Sequence, residues 1–280
     1  MAAHVGISQN SRLKALVVPR EHGAWGMLLV PMATGAVVAV RSGVNVSALS
    51  LFLVAALSLF WLRTPVEAWL GTSVIKAQSQ QERAVVLRVS IAFGLVSVMA
   101  LAALFFMGYW HGLRAIGIVA ALAFAAQAAV KKLGRQARMP AQVIGAIGLT
   151  STAAGAYYVS TGGLNHIAVA LWAANWIFAG DQVHFVQVRI HSSRAVSVFE
   201  KMQHGYSFFA GQIILLGVVM ALCRMSVFPN AVVIAFLPVL LRGTMWFVRG
   251  RQPLDVHKLG FSELAQALIF GALLCVAFLI

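Results

Sequence analysis

The sequence predicts an all-α, polytopic membrane protein with about nine transmembrane helices. Of its 280 residues, 61% are hydrophobic and 10% are charged, whereas soluble domains have about 45–50% apolar and about 25% charged residues. Apolar runs of about 20 residues recur along the chain, long enough to cross the hydrocarbon core of a bilayer. We therefore expect one transmembrane helical domain over residues 1–280, in which residues 1–20 form a basic N-terminal segment.

Each predicted helix corresponds to one apolar run. The nine runs lie near residues 23–41, 47–63, 89–108, 115–130, 140–159, 166–184, 206–223, 230–248 and 261–279.

The lysines and arginines predict the orientation of these spans. With the N-terminus in the cytoplasm, Arg41, Arg114 and Arg224 lie outside and Arg242 lies within a span, while the others of the 21 lysines and arginines fall on the cytoplasmic side. This asymmetry is the positive-inside pattern. It predicts a bacterial-type inner membrane protein with its C-terminus outside. The net charge of +14 is spread over short loops, which argues against a nucleic-acid partner.

The acidic residues point to one face of the membrane. They are Glu21, Glu67, Glu82, Asp181, Glu200, Asp255 and Glu263, and all fall at or near predicted cytoplasmic ends of spans. Ionisable groups at these depths predict a polar site on the cytoplasmic face. An alternating-access transporter would more often carry such groups near mid-membrane, on broken helices.

The stretch Arg20–Glu21–His22 stands directly before the first apolar run. Pro19 suits a first helical turn and Glu21 suits its positive end, so a capped and anchored helix is one interpretation. The other is a polar site, since Gly23 leaves room beside the His22 imidazole, which titrates near neutral pH.

Arg63 and Glu67 are four residues apart. They share a helix face if the helix continues past Pro65; alternatively, Pro65 starts a new segment. An interfacial ion pair and a substrate site are both compatible with this spacing.

Asp181, His184 and His191 fall on one face of a helix at about 100° per residue. A carboxylate beside an imidazole can orient it, move protons or bind a metal. An acidic residue at the end of a membrane helix is a functional candidate, so we interpret Asp181 and His184 as site residues.

A basic loop, KKLGRQARMP, precedes the fifth span. Anionic lipid headgroups are its favoured partner, with a phosphate substrate as the alternative. The run GAIGLTSTAAG that follows is typical of close helix packing.

These motifs resemble two groups of membrane proteins. PREHGAWGMLLVP resembles the signature of the YwiC-like membrane proteins. GAWGMLLVPMATG resembles the first helix of the UbiA-type intramembrane prenyltransferases, and KKLGRQARMPAQVIGAIG resembles their basic loop and the small-residue helix after it. AAGAYYVSTGGLN followed by LWAANWIFAGDQVHF resembles their fifth and sixth helices, and DQVHFVQVRI is similar to a stretch of the haem O synthases in that superfamily. The resemblance covers most of the chain and implies a UbiA-like helical bundle with a cytoplasm-facing cavity.

The resemblance also implies a divalent metal, although this sequence departs from the metal-binding motifs of that superfamily. UbiA-type enzymes hold Mg²⁺ against a prenyl diphosphate with two Asp-rich motifs. Here the first is reduced to Arg63 and Glu67, and the second keeps Asp181. Glu67 and Asp181 are the metal-binding candidates, expected to face one another across the cavity.

Two function classes follow. The first is an intramembrane transferase acting on an isoprenoid or other lipid-like substrate. Its catalytic candidates are Glu21, His22, Glu67, Asp181 and His184, and its substrate-binding candidates are Arg20, Arg63, Lys131, Lys132, Asn175, Arg189 and Lys258. The second is a non-catalytic carrier or binding protein for a lipid, haem or small ion, in which His22 and His184 are possible haem ligands.

Overall fold

A computed structural model of the chain describes residues 9–19, 22–71, 73, 76–193, 197–248 and 254–280. These residues form helices and contain no strand. In chain order the helices are α1 (Gln9–Val17), α2 (His22–Ala39), α3 (Val46–Trp69), α4 (Gln80–Phe106), α5 (Trp110–Lys131), α6 (Arg138–Thr150), α7 (Thr152–Thr161), α8 (His166–His191), α9 (Val198–Arg224), α10 (Val232–Val248) and α11 (Val256–Leu279).

Most of the described helices are long and apolar, as expected for membrane spans. Seven segments have the length and composition to cross a membrane, and α6 and α7 together make one of them. The chain is therefore a multi-pass helical membrane protein. Helix α10, at 17 residues, is shorter and apolar, and α8 runs for 26 residues with several polar side chains. The count of nine spans stays a prediction.

Several helices extend beyond the apolar runs that predicted them. Helix α4 begins at Gln80, because Ser79 and Glu82 form a capping box: the Glu82 amide donates to Ser79 Oγ and the Ser79 amide donates to the Glu82 carboxylate. Ser197 and Glu200 form the same motif at the start of α9. Helix α8 continues to His191, past the predicted end near residue 184. The polar residues at helix ends are not part of an apolar run, so the apolar runs do not predict them.

The chain divides into two compact units. Unit 1, residues 1–22 and 46–110, contains α1, α3 and α4. There Leu16 of α1 is buried with Ala68 of α3 and Val86 of α4, and Trp61 stacks on Phe93 with ring centroids 5.5 Å apart. Unit 2, residues 23–45 and 111–280, contains the remaining helices.

The core of unit 2 is built from small and aromatic side chains. Phe270 of α11 stacks on Phe178 of α8 with ring centroids 4.1 Å apart, and meets Phe236 of α10 edge-on. Alanines of α7 and α8 are almost fully buried around these rings. The small-residue run of α6 and α7 packs closely, as the sequence predicts: a side chain at Gly35 of α2 would overlap the backbone of Ala153.

Two helical segments of unit 2 contain a local irregularity. Pro31 lies inside α2, and because proline has no N–H it removes the hydrogen bond to the carbonyl four residues earlier, that of Met27. Ser151 separates α6 from α7. The Thr152 hydroxyl of α7 lies 2.9 Å from the carbonyl oxygens of both Leu28 in α2 and Leu149 in α6, and its single hydrogen is shared between them. Helices α2 and α7 thus meet through a polar contact inside the bundle.

Candidate functional site

A buried group of three charged side chains lies in unit 2, and we call it the Asp181–Arg242–Glu263 triad. The Arg242 guanidinium donates from Nη2 to Asp181 Oδ2 at 2.7 Å and from Nη1 to Glu263 Oε2. The side chains are 10%, 3% and 8% exposed for Arg242, Asp181 and Glu263. One residue comes from each of α10, α8 and α11, so the ion pairs tie three helices together.

Two glutamines extend the triad. Gln212 of α9 donates from Nε2 to Asp181 Oδ1, and Gln182 of α8 donates from Nε2 to the backbone carbonyl of Glu263 at 2.7 Å. The guanidinium carbon of Arg242 lies 4.1 Å from the centroid of the Phe185 ring, a cation–π contact. Arg242 is thus held between two carboxylates and an aromatic face.

The triad lies well inside its helices. Glu263 is about 10 Å along α11 from its start at Val256, and Arg242 is about 9 Å from the end of α10, at a rise of about 1.5 Å per residue. Charged side chains within membrane segments are costly and mark substrate, ion or proton pathways. The sequence analysis placed Asp181 and Glu263 at or near the cytoplasmic ends of their spans. In the structure, both side chains are buried.

The triad has two carboxyl groups for one guanidinium. It is neutral when one of the carboxyl groups is protonated and carries one negative charge when both are ionised. In the described part of the chain, Glu263 Oε1 and Gln212 Oε1 are buried acceptors without a hydrogen-bond partner, and Arg242 Nε is a donor without one. The centre of the site therefore keeps unused hydrogen-bonding groups of both kinds, two acceptors and one donor.

The predicted partnership of Asp181 with His184 is not what the structure shows. Both oxygens of Asp181 accept from Gln212 and Arg242, which belong to other helices. The His184 ring lies edge-on against Phe208 of α9, with centroids 5.2 Å apart. His191 is exposed, and its Nδ1 lies 2.7 Å from the carbonyl oxygen of Gln187. The shared helix face is real, but neighbouring helices determine the contacts of each residue.

Two cations meet one indole ring where α8, α9 and α10 come together. The Arg189 guanidinium carbon lies 5.7 Å and Lys201 Nζ lies 5.2 Å from the centroid of the buried Trp246 ring. Lys201 Nζ also donates to the carbonyl oxygen of Trp246 at 3.4 Å. Burial lowers the pKa of Lys201, and repulsion from Arg189 lowers it further. Arg189 is thus paired with a second cation, Lys201. The sequence analysis did not link these two residues.

The other predicted residues of unit 2 have separate settings. Asn175 is buried and donates to Thr34 Oγ1 and to the carbonyl oxygen of Leu171. Lys131 ends α5 and Lys132 follows it. Lys258 is exposed, and its Nζ lies 3.9 Å from Asp255 Oδ2. Of these residues, Asn175 lies within the bundle.

In unit 1, the ion-pair interpretation of Arg63 and Glu67 is confirmed, while their role in a substrate site stays a prediction. Helix α3 continues through Pro65 to Trp69, and Arg63 Nε donates to Glu67 Oε1 at 3.0 Å. Arg20 and Glu21 lie outside the described residues, and for His22 the structure describes only the backbone at the start of α2. The site role of Arg20, Glu21 and His22 stays a prediction, as does a cavity shared by Glu67 and Asp181.

The residues do not fit the Mg²⁺ that the resemblance implies. Asp181 is engaged by Arg242 and Gln212, and Glu67 by Arg63. Mg²⁺ needs an octahedral set of oxygens with little competing positive charge. The described residues contain no group of three or more His, Cys, Asp or Glu side chains able to hold a metal ion. We therefore derive no step through Mg²⁺.

Arg242, Glu263 and Gln212 complete the site, and the sequence analysis assigned them no role. One signal was available: Arg242 is a lone cation within an apolar span, and such a charge needs a buried partner. The identity of the partners depends on helix packing.

Together these features define a multi-pass helical membrane protein with a buried ion-paired site. A family model described as YwiC-like protein matches residues 18–158. The chain belongs to the YwiC-like family. The matched segment includes the PREHGAWG stretch and ends before Asp181, Arg242 and Glu263. No curated protein and no solved structure matches the chain. The resemblance to the prenyltransferase superfamily stays a prediction.

Proposed function

We propose that this YwiC-like protein is a membrane carrier for a small cation, proton included. The triad carries this proposal, because two carboxylates share one guanidinium inside the bundle. When both carboxyl groups are ionised the triad carries one negative charge in buried surroundings, and binding of a cation or proton relieves it. A purely structural ion pair requires only one carboxylate for Arg242.

Other observations agree with a carrier. Pro31 lies inside α2 and leaves the Met27 carbonyl without its helical hydrogen bond, and α6 meets α7 at Ser151. In secondary transporters, backbone groups freed in this way near a binding site contact the ion. The triad joins α8, α10 and α11, so loading and unloading its charge would alter the attraction between three helices.

Reconstitution tests the proposal directly. The purified protein is placed in liposomes that contain a pH-sensitive dye and a potential-sensitive dye, and Na⁺, K⁺ or choline is added outside. We expect protein-dependent change of internal pH or membrane potential with at least one small cation. Asp181→Asn and Glu263→Gln should each abolish it.

The control variant is Glu200→Gln. Glu200 is an exposed carboxylate in a capping box that glutamine also satisfies, so this variant should keep the flux. Wild-type rates equal to those of protein-free liposomes with every cation would overturn the proposal, as would full flux in both triad variants.

The intramembrane transferase is the second candidate, and the cations beside Trp246 favour it. Arg189 and Lys201 would attract the phosphate groups of an isoprenoid diphosphate. The test is incubation of the purified protein with an isoprenyl diphosphate and an acceptor, followed by mass spectrometry of products. A product that forms with wild type and is lost in both Arg189→Gln and Lys201→Gln would support the transferase over the carrier.

A further inference from the structure

The triad and the glutamines beside it hold more hydrogen-bond acceptors than hydrogens to satisfy them. Glu263 Oε1, Gln212 Oε1 and Gln266 Oε1 are buried acceptors without a partner among the described residues. Against them, Arg242 Nε is a buried donor without a partner. Buried polar groups are nearly always hydrogen-bonded, so this excess of acceptors indicates a missing hydrogen.

The unpartnered acceptors lie around one carboxyl group, that of Glu263. Gln266 follows Glu263 by three residues on α11, so their side chains are neighbours on one face of the helix. Gln212 is 6% exposed, and its Nε2 donates to Asp181 Oδ1, which directs its amide toward the triad.

The contacts of the triad distinguish its two carboxyl groups. Both oxygens of Asp181 accept hydrogen bonds, one from Gln212 and one from Arg242. Glu263 Oε2 accepts from Arg242 Nη1, whereas Glu263 Oε1 has no partner among the described residues. Glu263 Oε1 is therefore the carboxyl oxygen of the triad that is open to a ligand.

A proton on Glu263 Oε1 corrects both the hydrogen count and the charge. A protonated carboxyl group is a donor, so one unpartnered acceptor becomes a donor, and unpartnered donors and acceptors become equal in number. The triad then holds one carboxylate and one guanidinium and has no net buried charge. A metal ion would instead meet the Arg242 guanidinium, which already contacts both carboxyl groups.

The ionisable groups on the helices around Glu263 leave this oxygen to a proton. Those whose charge interacts with Glu263 are Asp181 and Arg189 of α8 and Arg242 of α10. His184 of α8 lies against Phe208 and Gly211 of α9, and Lys201 of α9 lies against Trp246. Helix α2, which also packs on α11, has no ionisable residue from Gly23 to Ala39, and on α11 itself His257 and Lys258 are exposed.

We propose that the cation carried by the Asp181–Arg242–Glu263 triad is a proton, which binds to and leaves Glu263 Oε1. The inference rests on the proposed function and names its cargo and the atom that binds it. On binding, an O–H bond forms at Oε1 with a proton taken from water. On release that bond breaks, the proton returns to water, and the triad regains one negative charge.

The primary test is infrared difference spectroscopy of the purified wild-type protein between neutral and alkaline pH. A protonated carboxylic acid has a carbonyl stretching band that a carboxylate lacks. We expect this band at neutral pH and its loss as the pH rises. The band should shift when the protein is made with ¹³C-labelled glutamate and stay in place with ¹³C-labelled aspartate.

Three results would overturn the inference. Absence of the band would mean that both carboxyl groups are ionised. A band that persists at every pH at which the protein stays folded would mean that the proton is fixed. A band that shifts with labelled aspartate would place the proton on Asp181.

Variants assign the band to one residue. Glu263→Asp keeps a carboxyl group and is expected to fold, and its band should shift with labelled aspartate in place of labelled glutamate. Glu263→Gln should lack the band. Glu200→Gln is the matched control and should keep it, because Glu200 is exposed in a capping box that glutamine also satisfies. A glutamate-sensitive band that survives in Glu263→Asp would overturn the site.

The outcomes separate this inference from the proposed function. Flux of Na⁺ or K⁺ that depends on the triad, without the pH-dependent band, keeps the carrier and overturns the proton at Glu263. A pH-dependent band that follows Glu263, without flux in liposomes, keeps the proton site and overturns the carrier.

Discussion

Gly35 of α2 lies against the backbone of Ala153 in α7, so closely that a Cβ atom on Gly35 would overlap the Ala153 carbonyl oxygen. Small residues allow this approach of helix backbones in membranes, where packing and hydrogen bonds drive association. The contact lies on the same two helices that the Thr152–Leu28 hydrogen bond joins. It therefore sets the spacing of α2 and α7.

We predict that Gly35→Ala destabilises the protein, because the added methyl group has no space and overpacking costs about 1–3 kcal/mol. Thermal unfolding in detergent or nanodiscs measures the change. Gly217→Ala in α9 is the control, since a Cβ there meets nothing within 4 Å. In a helix interior this control should be neutral or stabilising, by up to about 1 kcal/mol. Equal stability of the two variants would contradict the close contact.

Arg242→Met should be strongly destabilising. Removing one partner of a buried ion pair costs about 3–5 kcal/mol, and here two carboxylates are left facing each other. Exposed Arg224→Met is the control. The triple variant Asp181→Asn, Arg242→Gln, Glu263→Gln carries no charge at the triad and should regain most of the lost stability. Denaturant unfolding checks this order, and a triple variant no more stable than Arg242→Met would refute it.

In unit 1, Arg12 should hold α1 in place. Its Nε donates to Glu82 Oε1 at 2.5 Å, and its Nη2 donates to the carbonyl oxygen of Lys76 at 3.2 Å. We expect Arg12→Ala to speed hydrogen exchange of the α1 amides, measured by mass spectrometry, and to leave the exchange of α8–α11 unchanged. Glu82→Gln keeps the capping box but loses the ion pair, so it should have the same effect. Unchanged α1 exchange in both variants would mean that the buried Leu16 alone anchors the helix.

The orientation predicted from the basic loops is tested by cysteine labelling. Cys223 and Cys275, the free cysteines of the described residues, are first replaced by alanine. Single cysteines at Ser42, after α2, and at Gln136, after α5, should then react with an impermeant reagent from opposite sides, with Gln136 in the cytoplasm. Labelling of both positions from one side would rule out the predicted topology.

Composition and periodicity were sufficient to predict the class of this protein. Apolar runs long enough to span a bilayer indicate membrane helices wherever they occur, because the hydrocarbon core imposes length and polarity on each segment alone. Arg63 and Glu67 could be paired in advance for a similar reason, since a spacing of four residues is a property of one helix. The helix ends were less predictable, as the capping boxes at Ser79 and Ser197 show.

The buried site, in contrast, was decided by the tertiary structure. Asp181, Arg242 and Glu263 are far apart in sequence, and no local pattern states which faces of α8, α10 and α11 meet. Asp181 and His184 share a helix face, but they contact different neighbours. Asp181 accepts hydrogen bonds from Arg242 and Gln212, whereas His184 packs against Phe208. A lone arginine in an apolar span indicates that a buried partner exists. Which carboxylates pair with it depends on how three helices cross, and no single segment of the sequence contains that information.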